Sequence, residues 1–376
     1  MKLISPRHFI LGFAAVTTAL ALQAAPVSLA ERWAVLHEKS PKLHLRDAAQ
    51  QLGVSEAELL ATDLGKTVTR LRDGKDAARD ILTRLPELGE ITALTRNDNV
   101  VLERTAVSEK PRFREDGESG LVTGPIDLRI ALKNWRTAFA VVQPGREGKI
   151  SRSLQFFDAH GTAIHKIYVK NEAGVPVFDK IVADFRSTEQ TASLAIEPVA
   201  SIPADKPDAE IDQVALLTAW RGLTDVHQFS GVLKKLGVAR EQALRLGSPE
   251  FAEKIAPAAA RAFLEKAAAD QTPFLAFVSN DGMTQIFTGK IHKVAPSSGG
   301  EWFNVLDPDF NLHLRASSIA SAWLVKKPTK DGDLTSLEIF DAQGRLIVQF
   351  YPQRERGQPE PETWRALLAA LPRKSV

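Results

Sequence analysis

The sequence has no cysteine. That excludes disulfides, thiolate zinc sites, iron–sulfur clusters, thiol catalysis and a haem attached covalently through Cys-x-x-Cys-His. An excess of one charge is missing too: 48 Lys and Arg face 46 Asp and Glu, a formal net charge of +2 over 376 residues. A chain that coats nucleic acid normally gathers a basic excess on one face, so nucleic acid is not an expected partner. There is no Gly-x-Gly-x-x-Gly, Walker A, Gly-x-Ser-x-Gly or His-Glu-x-x-His stretch, which removes the usual dinucleotide, P-loop, nucleophile-elbow and zincin readings. The histidines (8, 37, 44, 160, 165, 227, 292, 313) never fall at i, i+3 or i, i+4. A two-histidine helical metal site is therefore absent, and His160 and His165, five apart across a turn, read as exposed hairpin residues. Beyond residues 9–25 no apolar run is long enough to cross a membrane.

What is present starts at the N-terminus. Residues 1–8 carry Lys2 and Arg7 and no acid, residues 9–25 carry no charge, and Ala19-Leu20-Ala21 has the small-x-small pattern of a cleavage site ahead of Pro26. A basic start, an apolar middle and a small-residue end read as a secretory signal peptide. The apolar stretch is short of the ~20 residues that span a bilayer, which favours cleavage over an anchor. Residues 1–25 are thus expected to direct export to the periplasm and leave a mature chain that is not an integral membrane protein. The remaining composition, 25% charged and 44% hydrophobic, is that of a globular protein.

The chain is also an internal repeat. SLQFFDAHGTAIHKIY at 153–168 and SLEIFDAQGRLIVQFY at 336–351 share eight of sixteen positions at an offset of 183. Three further blocks keep the offset at 183 or 184: LGVSEAELL at 52–60 with LGVAREQAL at 236–244, DLRIALKNWRTAFAV at 127–141 with NLHLRASSIASAWLV at 311–325, and TRND at 95–98 with VSND at 278–281. Each half opens with helical spacing, over 45–62 and 214–246, broken at Gly53 and Gly237. Each then turns to strands, with hairpins over 152–157/163–169 and 335–340/345–350 around turns that end in Gly161 and Gly344. Phe274–Val278, Gln285–Thr288 and Leu312–Leu314 add short strands. This predicts an α+β fold of two tandem pseudo-repeats, each with helices followed by a large antiparallel sheet. Residues 26–196 and 214–376 are the two repeats. Residues 197–213, with three prolines and five acids, have the composition of a linker.

Two places attract chemistry. His227 stands at the edge of an apolar stripe (Leu223, Val226, Leu233, Leu236) on a helical run, with the small Ser230 and Gly231 nearby. Imidazole there can pack in a boundary or hold haem iron. Near the C-terminus Gln349, Tyr351 and Arg354 fall at one strand end, and Lys326 and Lys327 precede a Pro turn. A solvated strand edge explains them as well as a site does.

TDVHQF, FVSNDGMTQIFTG, EWFNVLDPDFNLHLR, IASAWLVKKPTKDGDLTSLEIFD and YPQRERGQPE, together with TRNDNVVLE, IDLRIALKNWRTAF and RSLQFFDAHGTAIHKIYV, resemble the hemin-degrading factors of bacterial haem uptake, the HemS/ChuS/PhuS type, over about residues 30–375. The resemblance implies one haem b, held non-covalently between the halves, with His227 as the axial iron ligand. It places Arg129, Arg240, Lys327, Gln349, Tyr351, Arg354 and Phe277 around it. It leaves two activities open, a haem-oxygenase-like ring opening and non-catalytic carriage, and it implies a haem donor transporter and an electron donor as partners. Members of the family generally work in the cytoplasm, which the apparent export signal sets against. Pro352 and Asn280 stand where relatives usually have Gly, and Ser230 where they often have Phe. In the first repeat the position matching His227 falls near residue 43, with His44 one residue out of register.

Overall fold

The computed structural model describes residues 27–373 apart from 42, 146–147, 200–203, 248 and 356. The proposed signal segment lies outside these residues, as does part of the proposed linker. No helix among the described residues is long and apolar enough to cross a membrane.

The first repeat runs α1 (Leu29–Lys39), α2 (Leu45–Leu52), α3 (Glu56–Ala61), β1 (Val68–Arg70), α4 (Lys75–Thr83), β2 (Glu90–Arg96), β3 (Val100–Val107), β4 (Arg112–Phe113), β5 (Ser119–Val122), β6 (Asp127–Ala131), β7 (Thr137–Pro144), β8 (Ile150–Phe157), β9 (Ala163–Val169) and α5 (Val175–Phe185). The second runs α6 (Gln213–Arg221), α7 (Gln228–Leu236), α8 (Arg240–Leu246), β10 (Ala252–Ile255), α9 (Ala259–Asp270), β11 (Phe274–Ser279), β12 (Met283–Gly289), β13 (Val294–Pro296), β14 (Trp302–Leu306), β15 (Phe310–Arg315), β16 (Ser321–Lys327), β17 (Leu334–Phe340), β18 (Leu346–Pro352) and α10 (Glu362–Ala369). Helices and strands follow one another in the same order in both. The predicted helix breaks are real: Gly53 and Gly237 each end a helix in the left-handed conformation, at φ 68° and 63°, which costs glycine no Cβ clash. The hairpin turns also match, with Gly161 and Gly344 at φ 70° and 71°. Before them, Asp158 accepts from the amides of His160 and Thr162, and Asp341 from those of Gln343 and Arg345.

The two antiparallel sheets are not each the property of one repeat. One has the order β1-β7-β8-β9-β2-β3-β15-β14-β13, the other β10-β16-β17-β18-β11-β12-β6-β5-β4. Each repeat keeps six strands and lends three to its neighbour's sheet. The exchange covers β3 and β12, which would otherwise present bare edges. A reciprocal clasp sits at the crossing. Asn97 donates to the carbonyls of Ser279 and Ile347, and Asn280 to those of Arg96 and Ile164. This explains the repeated Asn-Asp motif: each amide also accepts from its own turn, from Asn99 and Val100 in one case and Gly282 and Met283 in the other. Asn280 thus fixes a turn by side chain where relatives were expected to use Gly.

Strand alternation sets what each face does. In the second sheet Phe274, Ala276, Val278, Leu337, Ile339 and Phe350 are buried with Phe263 of α9 and Trp364 of α10. The opposite face carries the polar residues described below. Two expectations need correction. His165 is not an exposed hairpin residue: it is 1% exposed, with Nδ1 2.9 Å from the Thr95 hydroxyl, because its position in β9 points to the core face. And the run 214–246 is not helical through His227. The helix stops at Arg221 and restarts at Gln228, because the Gln228 side chain accepts from the amides of Thr224 and Asp225 and gives the backbone an alternative to helix.

Candidate functional site

Residues opposite one another in neighbouring strands share a face. Glu338, Gln349, Phe277, Ile286 and Asp127 form one such row across β17, β18, β11, β12 and β6. Two residues along the same strands lie Ser336, Tyr351 and Arg129, and Lys327 of β16 has the same parity. One sheet face therefore gathers six of the eight residues expected at the site or in contact with it, while Leu337 and Phe350 between them point to the core.

At one end of this face α6 and α7 pack down through Trp220, Phe229 and Leu233. Arg240 opens α8 and reaches the sheet. Its Nε and terminal nitrogen donate to the two Glu338 oxygens at 2.7 and 2.9 Å, the bidentate fork that guanidinium and carboxylate geometry favours. Lys327 is fully buried, and its three N–H groups go to Glu338 at 2.6 Å, Ser336 Oγ at 2.9 Å and the Tyr351 hydroxyl at 3.0 Å. Gln349 donates to Glu338 at 3.0 Å. Phe229 lies under both cations, 5.3 Å from each, and Phe277 meets the Tyr351 ring edge-on at 5.3 Å.

Glu338 is 0% exposed. Burial by itself would raise its carboxyl, but Arg240 and Lys327 outweigh burial and hold it well below the usual carboxylate range. Burial likewise works against the Arg240 charge, and Glu338 overcomes it and raises that group above its ordinary value. Two cations around one carboxylate leave the cluster one positive charge in excess. A buried excess of this kind suits an anionic group arriving from the open side. The Tyr351 hydroxyl accepts from Lys327, which leaves its own proton to be donated outward.

His227 is elsewhere in character. It stands at the N-cap of α7, and its side chain is 88% exposed. Asp225 Oδ1 receives both its backbone amide at 2.8 Å and its Nδ1 at 2.6 Å. With Nδ1 held by a carboxylate, Nε2 is the ring nitrogen left for a ligand. That is the arrangement by which carboxylates orient metal-binding histidines. Ser230, one turn on, lies 3.5 Å from Arg240, so α7 connects His227 to the charged cluster.

The sequence-predicted residues thus divide. Arg240, Lys327, Gln349, Tyr351 and Phe277 are joined by direct contacts. Arg129 lies on the same face but is paired with Asp127 on its own strand. Arg354 follows β18, donates to the Gln358 carbonyl and does not join the cluster. The reading of Lys327 as a solvating edge residue fails, because β17 pairs with β16 and closes over it. Sequence reasoning missed Glu338, Ser336, Phe229 and Asp225. Glu338 and Ser336 carry a signal in retrospect: two polar residues at spacing two in SLEIF share the face of Gln349 and Tyr351.

Comparison with known proteins places the chain in a family. The family model for the haemin-degrading HemS/ChuX domain matches twice, at residues 53–185 and 237–371. The hemin transport protein HmuS of Yersinia pestis is 38% identical over 93% of this chain and 99% of its own. Among solved structures, the heme-binding protein PhuS of Pseudomonas aeruginosa in its holo form superposes with a TM-score of 0.86 and 40% identity, covering 92% of this chain and all of that one. The heme-degrading enzyme ChuS of Escherichia coli O157:H7 does so at 0.82 and 34%, covering 91% and 98%. With the domain matched in each repeat and the fold shared along nearly the whole length, the chain belongs to the hemin-degrading HemS/ChuS/PhuS family.

Proposed function

We propose that this chain binds haem b non-covalently on the polar face of its second sheet, as a protein of haem-iron utilisation, with His227 Nε2 as the axial ligand. The observation that carries this reading is the Asp225–His227 pair: an exposed imidazole whose Nδ1 is held by a carboxylate, which leaves Nε2 for iron, on the helix that also touches Arg240. Phe277 and the Tyr351 ring offer apolar cover to a porphyrin, whose two propionates suit Arg129, Arg354 and the Arg240–Lys327 cluster. Iron bound here would supply the redox chemistry. The protein's own residues bind and orient the ring, and Tyr351 holds a proton beside it. Relatives carry names for both transport and degradation, and the residues named here would serve either role.

The test is a haem titration of the full chain, wild type and His227→Ala, followed by ascorbate in air with catalase. We expect one saturable Soret band, and a displaced maximum with at least tenfold weaker binding in the variant. Unchanged affinity and spectrum in His227→Ala would remove the ligand assignment. Decay of the band with iron release identifies ring opening; a band that persists identifies carriage.

A further inference from the structure

The first sheet carries a cavity of about 750 Å³ on the face equivalent to the one just described, walled by first-repeat residues and by β14 and β15 of the second repeat. Counting back by the repeat offset, Arg240, Glu338, Gln349, Tyr351 and Phe277 become Glu56, Gln155, Lys166, Tyr168 and Leu94. All five line the cavity. The ion pair is kept with its members exchanged: Lys166 of β9 now pairs with Glu56 of α3, where Arg240 of α8 pairs with Glu338 of β17. The acid has moved from sheet to helix.

The exchange leaves acceptors over. Glu56 and Gln155 are each 5% exposed, yet no donor among the described residues hydrogen-bonds Glu56 Oε2 or Gln155 Oε1. Arg46 approaches Glu56 Oε2 to 3.9 Å, beyond hydrogen-bond distance. Unmet buried acceptors are costly, and a ligand with N–H groups would meet them. Arg96, on the same wall, has the opposite need. Burial and the neighbouring Arg46 pull its guanidinium down to about 10, and Glu56, Asp47 and Asp98 do not fully offset them. A carboxylate would. Leu43, Leu94, Trp33 and Trp302 supply apolar walls. Counted from the shared helix-ending glycine, Leu43 occupies the position of His227; His44, one residue on at the N-cap position of α2, also lines the cavity.

We propose that this cavity is a second ligand site, for an iron-free open-chain tetrapyrrole. Such a molecule is flat and apolar, carries converging N–H donors for Glu56 and Gln155, and has propionates for Arg96. The choice of a tetrapyrrole rests on the haem reading of the second repeat. The experiment is a titration of the full chain with biliverdin, followed by absorbance and intrinsic fluorescence, in wild type, His227→Ala, Leu94→Trp and Glu56→Gln. We expect one equivalent bound, within twofold of wild type in His227→Ala and at least tenfold weaker in both cavity variants. Haem titration of Leu94→Trp and Glu56→Gln should match wild type, which shows that the fold is intact. No saturable binding overturns the proposal, and so does binding that is lost in His227→Ala and kept in the cavity variants. A second equivalent of haem that survives His227→Ala and vanishes in His44→Ala also overturns it and gives the cavity to haem. Failure of haem binding at His227 leaves the biliverdin titration readable.

Discussion

The two repeats share every helix and strand in order, and they differ in where they bury polarity. On the ligand face, the second repeat closes a network in which the Lys327 and Glu338 hydrogen bonds are all met, whereas the first leaves Glu56 and Gln155 short of donors. On the core face the difference is reversed. The second repeat has Val278 and Val348, both 0% exposed, where the first has Thr95 and His165. No described residue hydrogen-bonds His165 Nε2, and burial pulls the imidazole down to about 3. Duplication copied the backbone instructions, the glycine caps and the Asx turns, because those decide whether the chain folds. The buried polar residues were free to diverge wherever a partner diverged with them.

The largest expected effect tests the closed network. Glu338→Leu leaves Lys327 buried without its counter-ion and should cost about 3–5 kcal/mol of unfolding free energy in urea. Gln155→Leu, its counterpart, loses one neutral bond to Ser153 and should cost about 1 kcal/mol. Equal losses would dissolve the contrast between the repeats. Next comes Asp225→Asn, which frees the His227 tautomer. We expect haem affinity to fall 10–100-fold, while His44→Ala leaves it unchanged. If Asp225→Asn binds haem like wild type, the carboxylate does not orient the ligand.

The core-face contrast has a pH signature. His165 stays neutral when folded and has an ordinary pKa of about 6.5 when unfolded. Between pH 6.5 and about 3 the unfolded chain binds the extra proton, so stability falls as pH falls, by about 2 kcal/mol at pH 5. Thr95→Val/His165→Val, which gives the first repeat the second's residues, should remove that slope while the chain stays folded at pH 7. A slope that persists would place the acid sensitivity elsewhere. Glu338 acts lower. Its depressed pKa contributes stability that is present above about pH 4.3 and is lost as pH falls further. The smallest expected effect is a difference near zero: Asn97→Ala and Asn280→Ala each remove two bonds to the other repeat and two within a turn, so their losses should agree within about 0.5 kcal/mol.

Much of this was legible in one sequence. The four repeat blocks gave the duplication, and Gly53, Gly237, Gly161 and Gly344 marked boundaries because positive φ is cheap only for glycine. His227 stood out beside small residues, and the resemblance added Arg240, Lys327, Gln349, Tyr351 and Phe277, which the fold brings into contact. Other readings failed for local reasons. A helical stripe concealed the break at 222–227, since side-chain capping by Gln228 and Asp225 leaves the apolar spacing intact. Lys327 read as an edge residue because strand order is not written in the strand. Arg354 read as part of the cluster because proximity in sequence at a strand end does not survive the turn that follows.

What the sequence determined by itself was local: the helices, the hairpins, their caps and their repetition, all set by backbone sterics and short-range hydrogen bonds. The tertiary structure alone decided which sheet each strand joined. The exchange of β4–β6 for β13–β15 pairs residues from about 150 to about 210 positions apart, and no local preference encodes that choice. It put Arg129 on the face of Glu338 and turned an acid in an apolar strand into the centre of a charged site. Long-range pairing follows from covering sheet edges and burying two faces at once, a requirement that only the assembled chain imposes.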